Sequence, residues 1–506
     1  MVKIRKAVSL FVCCALSMTF LLAGCKTQGS GKASSESGKA SSEDLKPYNL
    51  VWYMRTTSAK GDARVTAKIS DYLKKKINAT ITINNLGSDY ATKIPVIISS
   101  GEKFDVCFTA SWVADYHQNA IKGNFVNLTK TGLLDKYGKD LKKEIDPALL
   151  TSSSINGDIY AVPVNKEAAY AWAWTFNKAY LDKYNLDISN IKTLADAEPL
   201  FKIIHEKEPD IPTIVADKGF AMYNYLPYDP INGSASTLPG VIPLDGKSTK
   251  IVDQYELPEY QEYFATMHKF YQEGYIAKDA ATNTADPNIE KSGKYFARQI
   301  SWTPDAVGTP DVYGVTREAA LIQKPAIFSS AGTGAMQAIS NSSDDKERAM
   351  MFLNLLWSDK TLVNLVDYGE EGTDYVKVDD NTIDYPSGVT GKTSEYSNVS
   401  AWCVGNQRLS YVRKGIPADH WTKVADFNKQ AVKSPALGFS FDNTNVKTQI
   451  AAMQNVLNQY LPSLAVGAVD PTTYLPQMVQ KLKDNGMSDL LKEEQAQYDK
   501  WRTSKK

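Results

Sequence analysis

Histidine is scarce in this chain of 506 residues, with four, and cysteine hardly less so, with five. His117, His205, His268 and His420 include no two at the spacing of zinc ligands, so the sequence shows no histidine-built metal centre. No serine stands in a Gly-x-Ser-x-Gly elbow. Gly391-Lys392-Thr393 ends like a phosphate loop, but Pro386 takes the place of its first glycine. Asp379, Asp380, Asn381 and Asp384 miss calcium-loop spacing, because Ile383 falls where the fifth-position ligand belongs. Neither charge sign is in excess, 57 basic residues facing 57 acidic ones. That balance leaves no electrostatic footprint for nucleic acid. No cofactor and no metal are expected.

What is present begins at the N-terminus. Lys3, Arg5 and Lys6 precede an apolar run from Ala7 to Leu22, and Leu22-Ala23-Gly24-Cys25 closes it. These are the parts of a secretory signal, with a cysteine where lipoprotein cleavage needs one. A plain membrane anchor is the alternative, since the run nearly spans a bilayer. On the first reading residues 1–24 are removed and Cys25 is lipidated on its thiol and its freed amine. Two or more chains anchor stably, at about 0.8 kcal/mol per buried methylene. Residues 25–46 follow as a tether, mostly Ser, Gly, Lys, Ala and Glu, which cannot bury a core. The expected place is the outer face of the cell membrane, held by lipid alone, as a monomer. Cys13 and Cys14 leave with the signal, and Cys107, inside Val106-Cys107-Phe108, reads as a buried free thiol rather than a disulfide partner of Cys403.

The folded part starts near Pro47, and about 460 residues are too many for one ordinary core, which argues for two lobes. Its early segments alternate. Asn49 to Met54 reads as a strand; Val65, Ile69, Leu73 and Ile77 recur at helical spacing behind Asp62; Ala79 to Ile83 and Val106 to Phe108 read as further strands. This β-α-β-α-β order predicts an α/β fold with a mostly parallel sheet. Asn156-Gly157 signals a two-residue hairpin. Tyr170, Trp172, Trp174 and Phe176 alternate at period two, as one face of a strand does. Amphipathic helices are expected around Ala349 to Trp357 and, at the end, from Lys447 to Tyr460, from Tyr474 to Asn485 and up to Trp501.

The order of several pieces resembles the extracellular solute-binding proteins of sugar importers, the broad family that includes the maltodextrin receptor. They are Ser99-Ser100-Gly101-Glu102-Lys103-Phe104-Asp105-Val106, Asn156-Gly157-Asp158-Ile159-Tyr160-Ala161-Val162-Pro163 and Phe176-Asn177-Lys178-Ala179-Tyr180-Leu181. Farther on, Tyr368-Gly369-Glu370-Glu371-Gly372, Gly405-Asn406-Gln407 and Leu437-Gly438-Phe439 resemble a subfamily of Gram-positive lipoproteins with an extra C-terminal region. The resemblance implies a two-lobed periplasmic-binding-protein-like α/β fold of type 2, hinged, with ligand in the cleft. Lobe 1 is expected over 47–165 and 330–400, lobe 2 over 166–329 and 401–506 with the C-terminal helices. It also implies a receptor that performs no chemistry, with an oligosaccharide ligand and the permease subunits of an ABC importer as partners.

Ligands of open α/β sheets sit at the carboxyl ends of the strands. Those loops hold Tyr53 and Arg55 after the first strand, and Thr109, Ser111, Trp112 and Asp115 after the third. Sugars need flat apolar surfaces for their C–H faces, and carboxylates, amides or arginine for their hydroxyls. Glu167, four residues after Pro163, matches by resemblance a ligand carboxylate of the maltodextrin receptor, and Trp302 the tryptophan on which that receptor stacks sugar. Tyr170, Tyr223, Tyr225, Tyr228, Trp402 and Gln407 complete the candidates. Each has a plain alternative: packing for the aromatics, a surface ion pair for Arg55 and Asp115, and a turn for Gly405-Asn406 before Gln407. Two rival functions remain open at this point. A glycoside hydrolase needs two carboxyls about 5 to 9.5 Å apart; a peptide or amino-acid receptor needs a fixed acid and base, for which Arg55 and Asp115 would serve.

Overall fold

The computed structural model describes residues 45–219, 226–233, 236–284, 286–305, 307–308, 314–397 and 401–504. The signal, Cys25, nearly all of the tether, Tyr223 and Tyr225 lie outside the described residues.

Strand β1 (Tyr48–Met54) leads into helix α1 (Asp62–Ile77), which buries Val65, Ile69, Leu73 and Ile77, the stripe seen in the sequence. Asp62 opens this helix, its carboxylate accepting from the Ala59 amide at 3.0 Å. Strand β2 (Ala79–Asn85) follows, then helix α2 (Tyr90–Ser100), and Gly101 at φ 72° makes the left-handed turn toward β3 (Val106–Thr109). Strand β4 (Ala161–Pro163) ends this first pass. Asn156 and Gly157 both take positive φ, 52° and 86°, and the turn they make joins Ile155 to Asp158. No longer hairpin grows from it, because β4 pairs elsewhere.

The chain then builds a second sheet in which β5 (Ala171–Asn177) is flanked on either side by strands that come later in sequence; a separate two-stranded ribbon of β6 (Tyr228–Pro230) and β7 (Val241–Pro243) precedes those flanking strands, β8 (Ala297–Trp302) and β9 (Arg317–Leu321). It returns through β10 (Ala326–Ile327) to β11 (Met336–Ile339), which enters the first sheet. That sheet has the order β2-β1-β3-β11-β4. The β1 pairings are parallel, but β11 runs antiparallel to both β3 and β4. The sheet is therefore mixed rather than mostly parallel, since β11 comes back from the other half and runs against the strands it joins.

Two hydrophobic cores result. One packs Trp52, Tyr90, Phe108, Phe352 and Trp357 around the first sheet. The other packs Trp174, Phe176, Phe201 and Phe264 of the second half with Leu457 and Leu482 of the C-terminal helices. These helices run Lys447–Ala465, Pro471–Asp484 and Met487–Ser504. Cys403, Val404, Phe427 and Ala431 pack in the first core, so the return to the second half lies nearer residue 432 than the expected 401. Cys107 and Cys403 are both buried free thiols.

Three segments cross between the halves side by side. Tyr170 and Ala326 exchange backbone hydrogen bonds of 2.9 and 2.8 Å, and Ala326–Ile327 pairs in parallel with Val432–Lys433. The buried Asp229 carboxylate of β6 accepts from the Ser329 amide at 2.8 Å and its hydroxyl at 3.2 Å, and from Ser434. One carboxylate thus fastens two of the crossings just beyond their pairing.

Candidate ligand site

Arg55 leaves β1 at its carboxyl end, and Trp112 sits in the loop after β3. That loop is fixed to the segment entering β11: Ser111 donates its amide to the Thr333 carbonyl at 2.8 Å, and the Trp112 indole donates to the Gly334 carbonyl at 2.8 Å. The short turn Ala401–Cys403 brings Trp402 to the same place. The two indoles stack with centroids 6.2 Å apart, and the Arg55 guanidinium lies 5.1 Å from one and 5.6 Å from the other. Phe108 backs both at 6.0 and 6.1 Å. Trp112 remains 51% exposed and Trp402 38%. Two large indoles left in water side by side form an apolar patch that invites a partner, and the guanidinium beside them supplies fixed donors.

Behind this platform the first crossing carries a largely buried ion pair. Lys166 is joined to the adjacent Glu167, with their side chains 13% and 25% exposed. Burial works against the Lys166 ammonium, yet Tyr170 and Glu167 outweigh it and hold its pKa above the ordinary value. Burial pushes the neighbouring Cys403 thiol up to about 12, against the pull of Arg55 and Lys166. Asn165 exchanges backbone bonds with Gly405 and Gln407, which sets Lys166 beside the Trp402 turn. Trp302, paired opposite Ala171 at the end of β8, meets Phe427 edge-on at 5.4 Å. Its indole N–H is buried and has no hydrogen-bond partner among the described residues. Tyr170 packs its ring on Leu244, Ala326 and Phe328 at the crossing.

The other candidates stand elsewhere. Gln407 is 6% exposed and spends its amide on the Val404 carbonyl at 2.8 Å and on Asp367 at 3.2 Å. It is a core residue, and burial lifts the Asp367 carboxyl to about 7. Tyr53 and Thr109 are buried, and Tyr228 donates to Glu259 at 3.1 Å. Asp115, at φ 28°, caps the helix Tyr116–Ile121 by accepting from the Gln118 amide at 3.2 Å. It lines a polar cavity of about 160 Å³ between the halves, with Ser111 and His117 on one side and Asn232, Phe441 and Asn443 on the other. Burial lowers the pKa of His117, with Asp442 and Asp115 acting in the opposite direction. Sequence reasoning missed Lys166, His117 and Asn443, none of which stands in a motif. A larger hollow of about 730 Å³ lies within the second half, between helices Pro258–Gln272 and Pro471–Asp484, and holds none of these clusters. Among the described residues no acid, cysteine and histidine cluster fits a metal, and no helix is long and apolar enough to cross a membrane.

The pattern of the bacterial extracellular solute-binding proteins matches residues 67–370, and that of a domain of unknown function matches residues 435–503. A carbohydrate ABC transporter substrate-binding protein of Streptococcus pneumoniae serotype 4 is 34% identical over 447 residues, covering 87% of this chain and 88% of its own length. The lipoprotein LipO of Bacillus subtilis is 24% identical over 275 residues, covering 52% of this chain and 49% of its own. Among solved structures, the N-glycan transport solute binding protein of Streptococcus pneumoniae matches with a TM-score of 0.82 at 33% identity, over 91% of this chain and all (100%) of its own. In complex with Man1GlcNAc and with Man5GlcNAc, that protein matches at 32% identity with TM-scores of 0.73 and 0.69, over 90% and 91% of this chain and 99% and 100% of its own.

Proposed function

Because this chain belongs to the family of bacterial extracellular solute-binding proteins, we propose that it captures an oligosaccharide between its two halves and hands it intact to an ABC permease. It is not an enzyme. The carrying observation is the platform of Arg55, Trp112 and Trp402, where stacked exposed indoles offer a flat face and a guanidinium offers donors beside it. That pairing of surfaces is what a sugar ring, with apolar faces and a polar edge, requires. The relative solved in complex with Man1GlcNAc and with Man5GlcNAc supports an N-glycan fragment as the ligand.

Three solved structures of that relative match this chain with TM-scores of 0.82, 0.73 and 0.69 at nearly constant identity, the last two being its complexes with Man1GlcNAc and Man5GlcNAc. A drop without a change of sequence is a change of shape. This supports closure about the three crossings, in which a ligand touching both halves favours the closed state by its differential affinity. The finer reading is an extracellular monomer held to the outer face of the membrane through a lipid on Cys25. Calorimetric titration of the mature chain with Man5GlcNAc, beside a peptide and an amino-acid panel, tests the ligand class. Binding of the glycan with no cleavage product by chromatography is expected; binding of peptides alone overturns the proposal.

A further inference from the structure

Residues 435–503 match a domain with no known role, and the geometry points to one: we propose that this region builds the second-half wall of the ligand cleft. In it Phe441 and Asn443 contact the oligosaccharide and Gln497 positions them. The inference rests on the oligosaccharide reading above.

The region starts where the third crossing ends, beyond Val432–Lys433, and runs as a loop to the turn Thr444–Val446 before its long helix begins. On the way it presents Phe439, Phe441 and Asn443 to the cavity of about 160 Å³, whose other side is the loop of Ser111, Asp115 and His117 next to Trp112. A volume of that size equals roughly five water molecules, room for a single sugar residue rather than a chain. The wall therefore meets one end of a longer ligand lying on the indole platform.

Asn443 carries the chemistry. It stands at the cap position of the turn Thr444–Val446 but makes no capping bond with its side chain. Its Oδ1 is buried without a hydrogen-bond partner among the described residues. Buried amide oxygens are almost always bonded, so a donor is missing, and a turn of this side chain toward the cavity that the residue lines lets a sugar hydroxyl supply one. Phe441, half-buried, offers an apolar face beside it.

The last helix, Met487–Ser504, holds this wall. Gln497 clamps the backbone of Asp442 from both sides, accepting from its amide at 2.9 Å and donating to its carbonyl at 2.8 Å. Tyr498 donates to the Pro435 carbonyl at 3.2 Å, and its ring and that of Trp501 pack on Phe439 at 5.5 and 5.6 Å. Glu494, fully buried, accepts from Asn232 of the neighbouring cavity loop at 2.6 Å. A Cβ on Gly240 of that loop would come within 2.0 Å of the Glu494 carboxylate, so the loop sits directly against the helix. One helix of the region thus sets both second-half loops that face the cavity.

The test titrates Man1GlcNAc and Man5GlcNAc into the mature chain and into Asn443→Ala, Gln497→Ala, Gln497→Glu and Trp112→Ala, with thermal midpoints for each. Asn443→Ala is expected to weaken binding about tenfold, the loss of one hydrogen bond to the sugar. Gln497→Ala is expected to weaken it severalfold and to speed hydrogen exchange of the amides of 439–443 in the sugar-free protein. Gln497→Glu keeps the acceptor for the Asp442 amide and recovers part of both. Wild-type affinity in Asn443→Ala and Gln497→Ala, with affinity lost in Trp112→Ala, overturns the wall and leaves the platform standing. No binding of either glycan by the wild type overturns both readings. If Gln497→Ala lowers the midpoint sharply, Asn443→Ala, which removes an Oδ1 that has no partner among the described residues, decides alone.

Discussion

Trp112 and Trp402 stack at 6.2 Å with 30° between their planes, although one follows an early strand and the other lies beyond the last strand of the same sheet. Arg55 is shared by both rings. The three side chains act as one surface, and a change in any of them alters what the others can hold.

Replacing Trp112 or Trp402 with Ala is expected to cost about 1–2 kcal/mol of sugar affinity, the share of an indole face covered by a ring. Both are half-exposed, so thermal midpoints should stay near wild type. Arg55→Lys should also weaken binding, because an ammonium lacks the planar fork that lies against the indoles. Titration calorimetry and a melting curve on each variant check this.

Glu167→Gln removes one partner of a largely buried pair and leaves the Lys166 ammonium uncompensated. Breaking a buried pair costs about 3–5 kcal/mol, and the partial exposure of Glu167 places the loss at or below the lower end of that range. Denaturant unfolding should show a clear drop. The double replacement Lys166→Met with Glu167→Gln should recover most of it.

Asp367 is raised by burial to about 7 and Asp229 to about 6. An acid raised in the folded state binds its proton more tightly there than when unfolded, so it favours folding at low pH. That contribution fades as pH rises from about 4 through the folded value. Asp367→Asn should therefore match wild-type stability near pH 4, exceed it increasingly up to about pH 7, and hold a constant advantage above that. Melting temperatures across pH 4 to 8 for both proteins give the comparison, and Asp229→Asn should show the same trend ending near pH 6.

Cys107 and Cys403 are buried thiols with no disulfide between them. Neither should react with a thiol reagent in the native protein, and both should react after denaturation. The melting temperature should be the same with and without reductant.

Much of the scaffold was legible because its signals are local. The stripe of Val65, Ile69, Leu73 and Ile77 needs only a helical period, and the turn at Gly101 only a residue free to adopt positive φ. The ends of β1 and β3 pointed to Arg55 and Trp112 through the rule that open sheets bind at their strand ends. The burial of Gln407 was not legible, because a Gly-Asn turn says nothing about it, and the Gln407 amide is bonded inside the core. Nothing in the neighbours of Asn443 reveals that its oxygen is buried and unmet.

The sequence by itself determined the α/β alternation, the two-core size and, through its resemblance, the kind of receptor, since periodicity, length and motif order survive without coordinates. Only the tertiary structure decided the reversed strand β11, the late third crossing, the joining of Trp402 to Trp112 and the clamp of the last helix on the backbone of Asp442. Each of these is a pairing between distant parts of the chain. Such pairings depend on which surfaces meet when the two halves pack, and no stretch of neighbouring residues records that.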